Sequence, residues 1–118
     1  MTSGAWSGSD ERWKKNIVTL NNSLDKIMRL RGVSHEWRVD EFPELNFING
    51  TQLGLIAQEA ELVVPEVVTT GEDGFKGISY EKLVPVLIEA VKELKVEGDE
   101  LRVENEEMLR RLEILENG

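Results

Sequence analysis

The stretch that decides the fold runs from Tyr80 to Leu115 and reads YEKLVPVLIEAVKELKVEGDELRVENEEMLRRLEIL. Its apolar residues recur in the seven-residue pattern that is typical of a coiled coil. At 1.5 Å per residue the helix is about 50 Å long, which is more than the small remaining domain could cover. The pattern therefore predicts that copies of the chain associate through this helix. We call the repeating positions the seam, and they are Val84, Leu87, Val91, Leu94, Leu101, Asn105, Met108, Leu112 and Leu115.

Gly98 and Asn105 also fall at seam spacing, and selection for the stability of a coiled coil alone would favour neither. Gly98 costs about 1 kcal/mol of helix propensity and marks a kink or a thin point between a globular half and a distal coil. Asn105 places an amide among apolar neighbours, which typically fixes register and strand number. Glu97 and the following Arg102 are spaced to pair between chains. These residues leave dimer and trimer both open, as well as a single amphipathic helix lying on its own domain.

Composition limits the function classes. The 118 residues suffice for one domain and an appendage, and the net charge of −9 opposes binding to nucleic acid and to anionic membranes. No cysteine and a single histidine exclude disulfides, thiolate metal sites and the usual zinc sites, so we expect no metal and no cofactor. The sequence lacks an apolar run of membrane-spanning length and a signal-peptide pattern, so we expect a soluble piece. Acidic clusters such as Glu59 with Glu61 are interpreted as solvated helix faces.

Before the long helix, short signals predict an α+β domain of short strands, hairpins and short helices. Ser23 is a candidate N-cap for a helix that runs to Leu30, and residues 57–63 form a second helix ending near Pro65. Strand periodicity covers residues 33–39, which places His35 on the apolar face as a packed structural residue. Hairpins are predicted at Asn49-Gly50 and around residues 71–74, and residues 53–56 as a buried strand. Ser79 is the predicted cap of the long helix, and Pro85 predicts a kink or a later helix start.

Four ordered segments identify a resemblance to a known family. They are SDERWKKNI from Ser9, LRGV from Leu30 with Trp37, GLIAQE from Gly54 with PEVV from Pro65, and YEKLVPVLIEAVKEL from Tyr80 to Leu94. Together they closely resemble the peptidase S74 family, the C-terminal intramolecular chaperone domains of phage endosialidase tailspikes and other tail fibres, also found in myelin regulatory factor. The resemblance implies a homotrimer, so that the long helix forms a trimeric coiled coil. It also implies help to an upstream fibre or spike segment of the same polypeptide, which folds, trimerises and is then released.

The resemblance also implies chemistry at the start of the chain. The family cuts itself before the serine of an S-D-x-R-L-K motif, which here is the Gly8-Ser9 bond. It implies a serine peptidase that acts once, in cis, with Ser9 as nucleophile and Lys14 as general base. Asp10 and Arg12, between them, either support the site or form a structural ion pair. Trp13 stands where the family usually has Leu, and this puts the rate of cutting in question.

The implied division has three parts. Residues 1–8 are the end of an upstream fibre protein or a leader added for expression, 9–94 are the chaperone and self-cleaving domain, and 95–118 are a coiled-coil extension. The implied location is the host cytoplasm during phage assembly, with the parent protein in the virion tail.

Elementary chemistry adds a condition to this function. A lysine serves as base only when neutral, and a flexible N-terminal strand on one chain offers no burial that would favour the neutral form. A neighbouring chain could provide that burial, so assembly is the predicted switch for cutting. Gly8 suits the site because it lets the main chain approach closely. The alternative is a non-cleaving trimerisation module of a tail fibre. A hydrolase acting on external substrates is disfavoured, because no set of convergent polar groups indicates a substrate pocket.

Overall fold

The computed structural model describes residues 7–117, so the predicted leader lies outside the described residues except for Ser7 and Gly8. Three helices, two small sheets and four short 3-10 turns make up the described chain. The helices are α1 (Ser23–Arg29), α2 (Ala57–Glu61) and α3 (Leu83–Asn117). The strands are β1 (Val33–His35), β2 (Gln52–Gly54), β3 (Val68–Thr70) and β4 (Lys76–Ile78). The α+β class with a long C-terminal helix is confirmed.

The two sheets are antiparallel strand pairs, β1 with β2 and β3 with β4. The predicted hairpin around residues 71–74 is confirmed: the Gly71 N–H donates to the Phe75 carbonyl at 2.9 Å, and Gly74 lies at a φ of 88°. The predicted Asn49-Gly50 hairpin is wrong, because β2 pairs with β1, with Ser34 opposite Leu53. The 33–39 strand is shorter than predicted, and Leu53 is exposed rather than in a buried strand.

The core is small and lies where the short elements meet the start of α3. Val64, Val67 and Leu83 form its buried cluster. Val86 and Ala90 are buried further along α3, on the helix that packs most extensively against α1. The short elements of the chain are therefore organised around the first two turns of α3.

The start of α3 resolves the alternatives at Pro85. A 3-10 turn at Tyr80–Lys82 precedes the helix, so Pro85 is the third helical residue, where its missing N–H breaks no helical bond. The later start is confirmed. The helix then runs through Gly98 as one element to Asn117. Ser79 precedes the 3-10 turn and makes no side-chain cap bond, so its predicted capping role is wrong.

The cap of α1 also differs from the prediction. Asn22, in a left-handed conformation with a φ of 53°, occupies the N-cap position, and Ser23 is the first helical residue. Neither uses its side chain to cap the helix. The described residues measure 77 × 43 × 24 Å, which is the elongated shape expected of a domain with a projecting helix.

Candidate functional site

Ser9 and Lys14 meet at the N-terminal end of the described chain. The Lys14 ammonium Nζ donates to the Ser9 hydroxyl Oγ at 2.7 Å. A 3-10 turn at Glu11–Trp13 brings the two side chains together, with main-chain bonds from Trp13 to Asp10 and from Lys14 to Glu11. The five-residue spacing thus places a hydroxyl and an amine in contact, immediately after the peptide bond that joins Gly8 to Ser9.

Asp10 and Arg12 hold this turn in shape. The Asp10 carboxylate accepts from the Arg12 main-chain N–H at 2.9 Å and from two guanidinium nitrogens at 3.0 and 2.8 Å. The side-chain bond from Arg12, and after it the main-chain bond, lower the pKa of Asp10, and the same contact raises the pKa of Arg12. Within residues 7–117 neither side chain hydrogen-bonds Ser9 or Lys14. This geometry favours the structural role of the pair.

Solvent surrounds the side chains of Ser9 and Lys14 in a single chain. Ser9 and Lys14 are exposed, and so is every residue from 11 to 22. Water stabilises an ammonium far better than a low-dielectric site does. The contact at 2.7 Å therefore has the geometry of a nucleophile and its base, and the surroundings of a surface hydrogen bond.

The first half of α3 is apolar on two sides. One side, with Val86 and Ala90, is buried, and α1 is the helix that α3 contacts most. The seam lies on the other side, where Leu87, Val91 and Leu94 are exposed. The rest of the seam, from Leu101 to Leu115, is exposed too. An apolar row of this length, sustained along one helix, is the surface that coiled-coil partners cover.

Charged residues flank the seam. Asp99 accepts from Lys95 at 2.8 Å and lies 3.3 Å from an Arg102 nitrogen, and the Lys95 bond is the main cause of its lowered pKa. Arg102 thus pairs within its own helix in one chain. The predicted pairing of Glu97 with Arg102 of another chain stays a prediction.

One contact that the sequence reasoning missed joins α1 to α3. Oε2 of Glu93 accepts from the main-chain N–H groups of Ser23 and Leu24 at 2.8 and 3.1 Å. It satisfies two of the otherwise unpaired donors at the start of α1, and its charge suits the positive end of that helix. No local signal could have found it, since 70 residues separate Ser23 from Glu93.

A second missed contact involves Tyr80. Its hydroxyl accepts from the Leu55 N–H at 2.9 Å, and a Cβ on Gly54 would lie only 2.7 Å from that oxygen. Gly54 is therefore the residue that lets the phenol reach the main chain. His35 makes an edge contact with Trp37 at a centroid distance of 4.7 Å, which agrees with its predicted packing role.

The described residues contain no cluster of three or more His, Asp or Glu side chains that could hold a metal ion. In the same part of the chain, no helix combines the length and the apolar character needed to cross a membrane.

Comparison with known proteins gives matches at both the family and the sequence level. Residues 9–69 match the peptidase S74 family, described as "Chaperone of endosialidase". Two relatives are the long tail fiber proteins Gp37 of Enterobacteria phages K3 and T2. Each is 34% identical to this chain over 102 residues, and each match covers 79% of the chain. The match spans only 8% and 7% of the lengths of these two relatives.

Proposed function

The chain belongs to the chaperone of endosialidase family, and from this premise we propose that it is an intramolecular chaperone that releases itself. It assembles as a homotrimer, helps an upstream fibre or spike segment to trimerise and fold, and then cuts the Gly8-Ser9 bond. The observation that carries the cutting step is the 2.7 Å contact between Lys14 Nζ and Ser9 Oγ, directly after that bond.

Water is the one reactant that comes from outside the chain. Neutral Lys14 takes the proton of Ser9 Oγ, which attacks the Gly8 carbonyl carbon. The C–N bond to Ser9 breaks, its nitrogen leaves with the proton that Lys14 returns, and an ester joins Gly8 to Oγ. Water then hydrolyses the ester, which frees the Gly8 carboxyl group and restores the Ser9 hydroxyl. When Lys14 is neutral, the same 2.7 Å distance between Nζ and Oγ allows the Ser9 hydroxyl to donate the hydrogen bond to the amine.

Assembly supplies the missing condition, because in one chain both groups are exposed. A neighbouring copy that covers Lys14 removes water and favours the neutral amine. The exposed seam supports such a neighbour, since an apolar row that faces water alone favours association. Cutting therefore follows trimer formation, which is the order that a folding aid requires.

Intact mass and sedimentation of the freshly purified chain test the proposal. We expect the wild type to sediment as a trimer and to lose its first eight residues, while Ser9→Ala and Lys14→Ala keep full length. The matched control is Lys15→Ala, which removes an adjacent exposed ammonium that has no part in the reaction and should cut as the wild type does. A trimeric wild type that keeps its full mass contradicts the cutting step, and a monomeric wild type contradicts the chaperone role.

One observation favours a second candidate. The exposure of Ser9 and Lys14 also fits a trimerisation module that never cuts, as part of a tail fibre. Both candidates share the same partners, a homotrimer and the upstream segment of the same polypeptide. Both share the same proposed place, the host cytoplasm during assembly and then, for the parent fibre, the virion tail. The names of the two relatives, long tail fiber proteins, support the tail location. The intact-mass experiment separates them.

A further inference from the structure

An apolar cavity of about 320 Å³ lies beside the first turn of α3. The end of α1 contributes Ile27 and Leu30, the residue after β2 contributes Leu55, and α3 contributes Leu83 and Leu87. Among the described residues that line the cavity none is charged, and of these five only Leu83 is buried. The cavity is therefore open to solvent, and an apolar side chain that enters it removes apolar surface from water.

Leu87 separates this cavity from an apolar surface on the other side of α3. That surface is lined by Val84, Leu87, Ile88, Val91 and Lys92. In the seven-residue repeat, Leu83 lies on one flank of the seam and Ile88 lies on the other. The Ile88 side chain is 50% exposed. Each chain therefore carries the cavity on one flank of its seam and an exposed isoleucine on the opposite flank.

Charged residues further along the two flanks indicate how neighbouring helices are aligned. The flank of Leu83 carries the charged residues Glu97, Glu104 and Arg111, and the flank of Ile88 carries Lys95, Arg102 and Glu116. In parallel helices the opposite flanks of neighbours face each other, so that acids meet bases. In antiparallel helices like flanks meet, which places Glu97 of one copy near Glu104 of another. The charges thus favour parallel neighbours.

Parallel alignment in register determines which residues face each other. A residue on the Leu83 flank faces the residue five positions later on the Ile88 flank of the neighbour. This relation pairs Glu97 with Arg102 of the next copy, and the two are opposite in charge. Applied to Leu83, the same relation selects Ile88 of the next copy. The exposed isoleucine of one chain thus arrives at the cavity of its neighbour.

We propose that this cavity receives the Ile88 side chain of a neighbouring copy in the homotrimer. The inference rests on the proposed function, which supplies the trimer. A cavity of about 150 Å³ lined by apolar side chains accepts benzene, so a cavity of about 320 Å³ has room for an isoleucine side chain. Because the cavity and the isoleucine lie on different flanks of one chain, the contact is head-to-tail, and three such contacts close a ring.

The docking makes assembly depend on the fold of each domain. Ile27, Leu55 and Leu83 are far apart in the sequence, and they line one cavity only when α1, the residue after β2 and α3 are packed together. The Tyr80 hydroxyl, which accepts from the Leu55 N–H at 2.9 Å, holds one wall in place. A chain whose short elements have not folded offers no cavity to its neighbour. Ring closure therefore selects folded chains.

Two β-branched residues of similar exposure on α3 provide the test. Ile88 and Val96 are 50% and 56% exposed, and Val96 lies on the face of the helix opposite the seam. We expect Ile88→Ser to raise the concentration for half-dissociation of the trimer about tenfold in sedimentation equilibrium. Val96→Ser should change it less than about twofold, because the residue stays in water. Equal shifts for the two variants overturn the proposal.

Oxidative cross-linking tests the cavity itself, since the chain has no native cysteine. Ile88→Cys is refolded with Leu30→Cys in one mixture and with Gly32→Cys in another, because both of these positions line the cavity. A disulfide requires Cα atoms within about 7 Å. We expect at least one mixture to give a linked pair whose intact mass is that of one chain of each kind.

The same experiment distinguishes failure of the docking from failure of the proposed function. A trimeric wild type with no linked pair of unlike chains in either mixture overturns the docking and leaves the proposed function standing. A monomeric wild type overturns the proposed function itself.

Discussion

The contribution of the seam to the free energy of association can be measured with two truncations. One removes a seam side chain, and the other removes an equally exposed side chain that lies off the seam. Leu101 and Val103 lie on the same helix and are 60% and 58% exposed in one chain. Two residues along a helix turn the side chain by roughly 200°, so Val103 faces away from the seam. Full burial of a Leu side chain contributes about 1.5–3 kcal/mol, so burying the exposed part of Leu101 contributes roughly 1–2 kcal/mol per chain.

Three chains lose this contribution together in a trimer of Leu101→Ala. The sum is about 4 kcal/mol, or about a thousandfold in the association constant, since 1.4 kcal/mol is a factor of ten. The constant for a trimer scales with the square of the free concentration, so the concentration of half-dissociation rises about thirtyfold. Val103→Ala should leave this concentration within about twofold, because the residue stays in water in both states.

Sedimentation equilibrium over a dilution series measures both variants. Far-ultraviolet circular dichroism, recorded below the dissociation concentration, checks that the isolated chains fold alike. Equal shifts for the two variants would show that the seam is not the surface that copies share. Loss of the trimer by Val103→Ala alone would place the contact on the opposite face of α3.

Three further predictions follow from contacts within one chain. Glu93→Ala removes the acceptor of two N–H groups at the start of α1, so the free energy of unfolding should fall by about 1–2 kcal/mol, as measured by urea titration; an unchanged midpoint would show that the cap contributes nothing. Gly54→Ala brings a Cβ to 2.7 Å from the Tyr80 hydroxyl and should cost about 1 kcal/mol through the lost bond to the main chain, but much less in a Tyr80→Phe background; additive losses in that double-mutant cycle would contradict the contact. The hydrogen bond from Arg31 is the main cause of the lowered pKa of Glu59, so the stabilisation from this ion pair is fully present above the ordinary value of 4.5 and is lost as the pH falls through the lowered folded pKa. The small difference in melting temperature between wild type and Glu59→Gln should therefore be present at pH 6 and vanish in acid. A difference that persists in acid would have another cause.

Two patterns in the local sequence correctly predicted a secondary-structure element. The seven-residue repeat predicted α3, and the glycines at 71 and 74 predicted the turn between β3 and β4. Each of these depends on main-chain preferences and on periodicity that the local sequence contains.

The Asn49-Gly50 prediction failed for a physical reason that the residues show. A two-residue hairpin of this type needs positive φ at both central positions. Gly50 has a φ of 95°, but Asn49 is not among the residues with positive φ. The strand after this loop is β2, which pairs with β1, so that Gly54 lies opposite Val33. A long-range partner overrode a local preference, and only the folded chain shows which partner that is.

In the candidate site, too, the sequence predicted the local contact and missed the contacts that depend on packing. The resemblance to the peptidase S74 family implied Ser9 and Lys14 as a pair, and the turn between them explains how their spacing produces a contact. Glu93 at the start of α1 and the unpaired hydroxyl of Ser23 could not be read from the sequence, because both depend on how α1 packs against α3.

The local origin of the Ser9–Lys14 contact bears on the timing of the proposed cutting. The bonds between Asp10 and Arg12 that close the turn are local, so Ser9 and Lys14 can meet as soon as this segment has been synthesised. Geometry alone therefore cannot delay the reaction until the fibre is complete. Burial can, because it arises only when another chain covers an exposed segment. In the proposed function, a nucleophile and a base that are in contact from the start, and that water keeps inactive, prevent the chaperone from leaving before assembly.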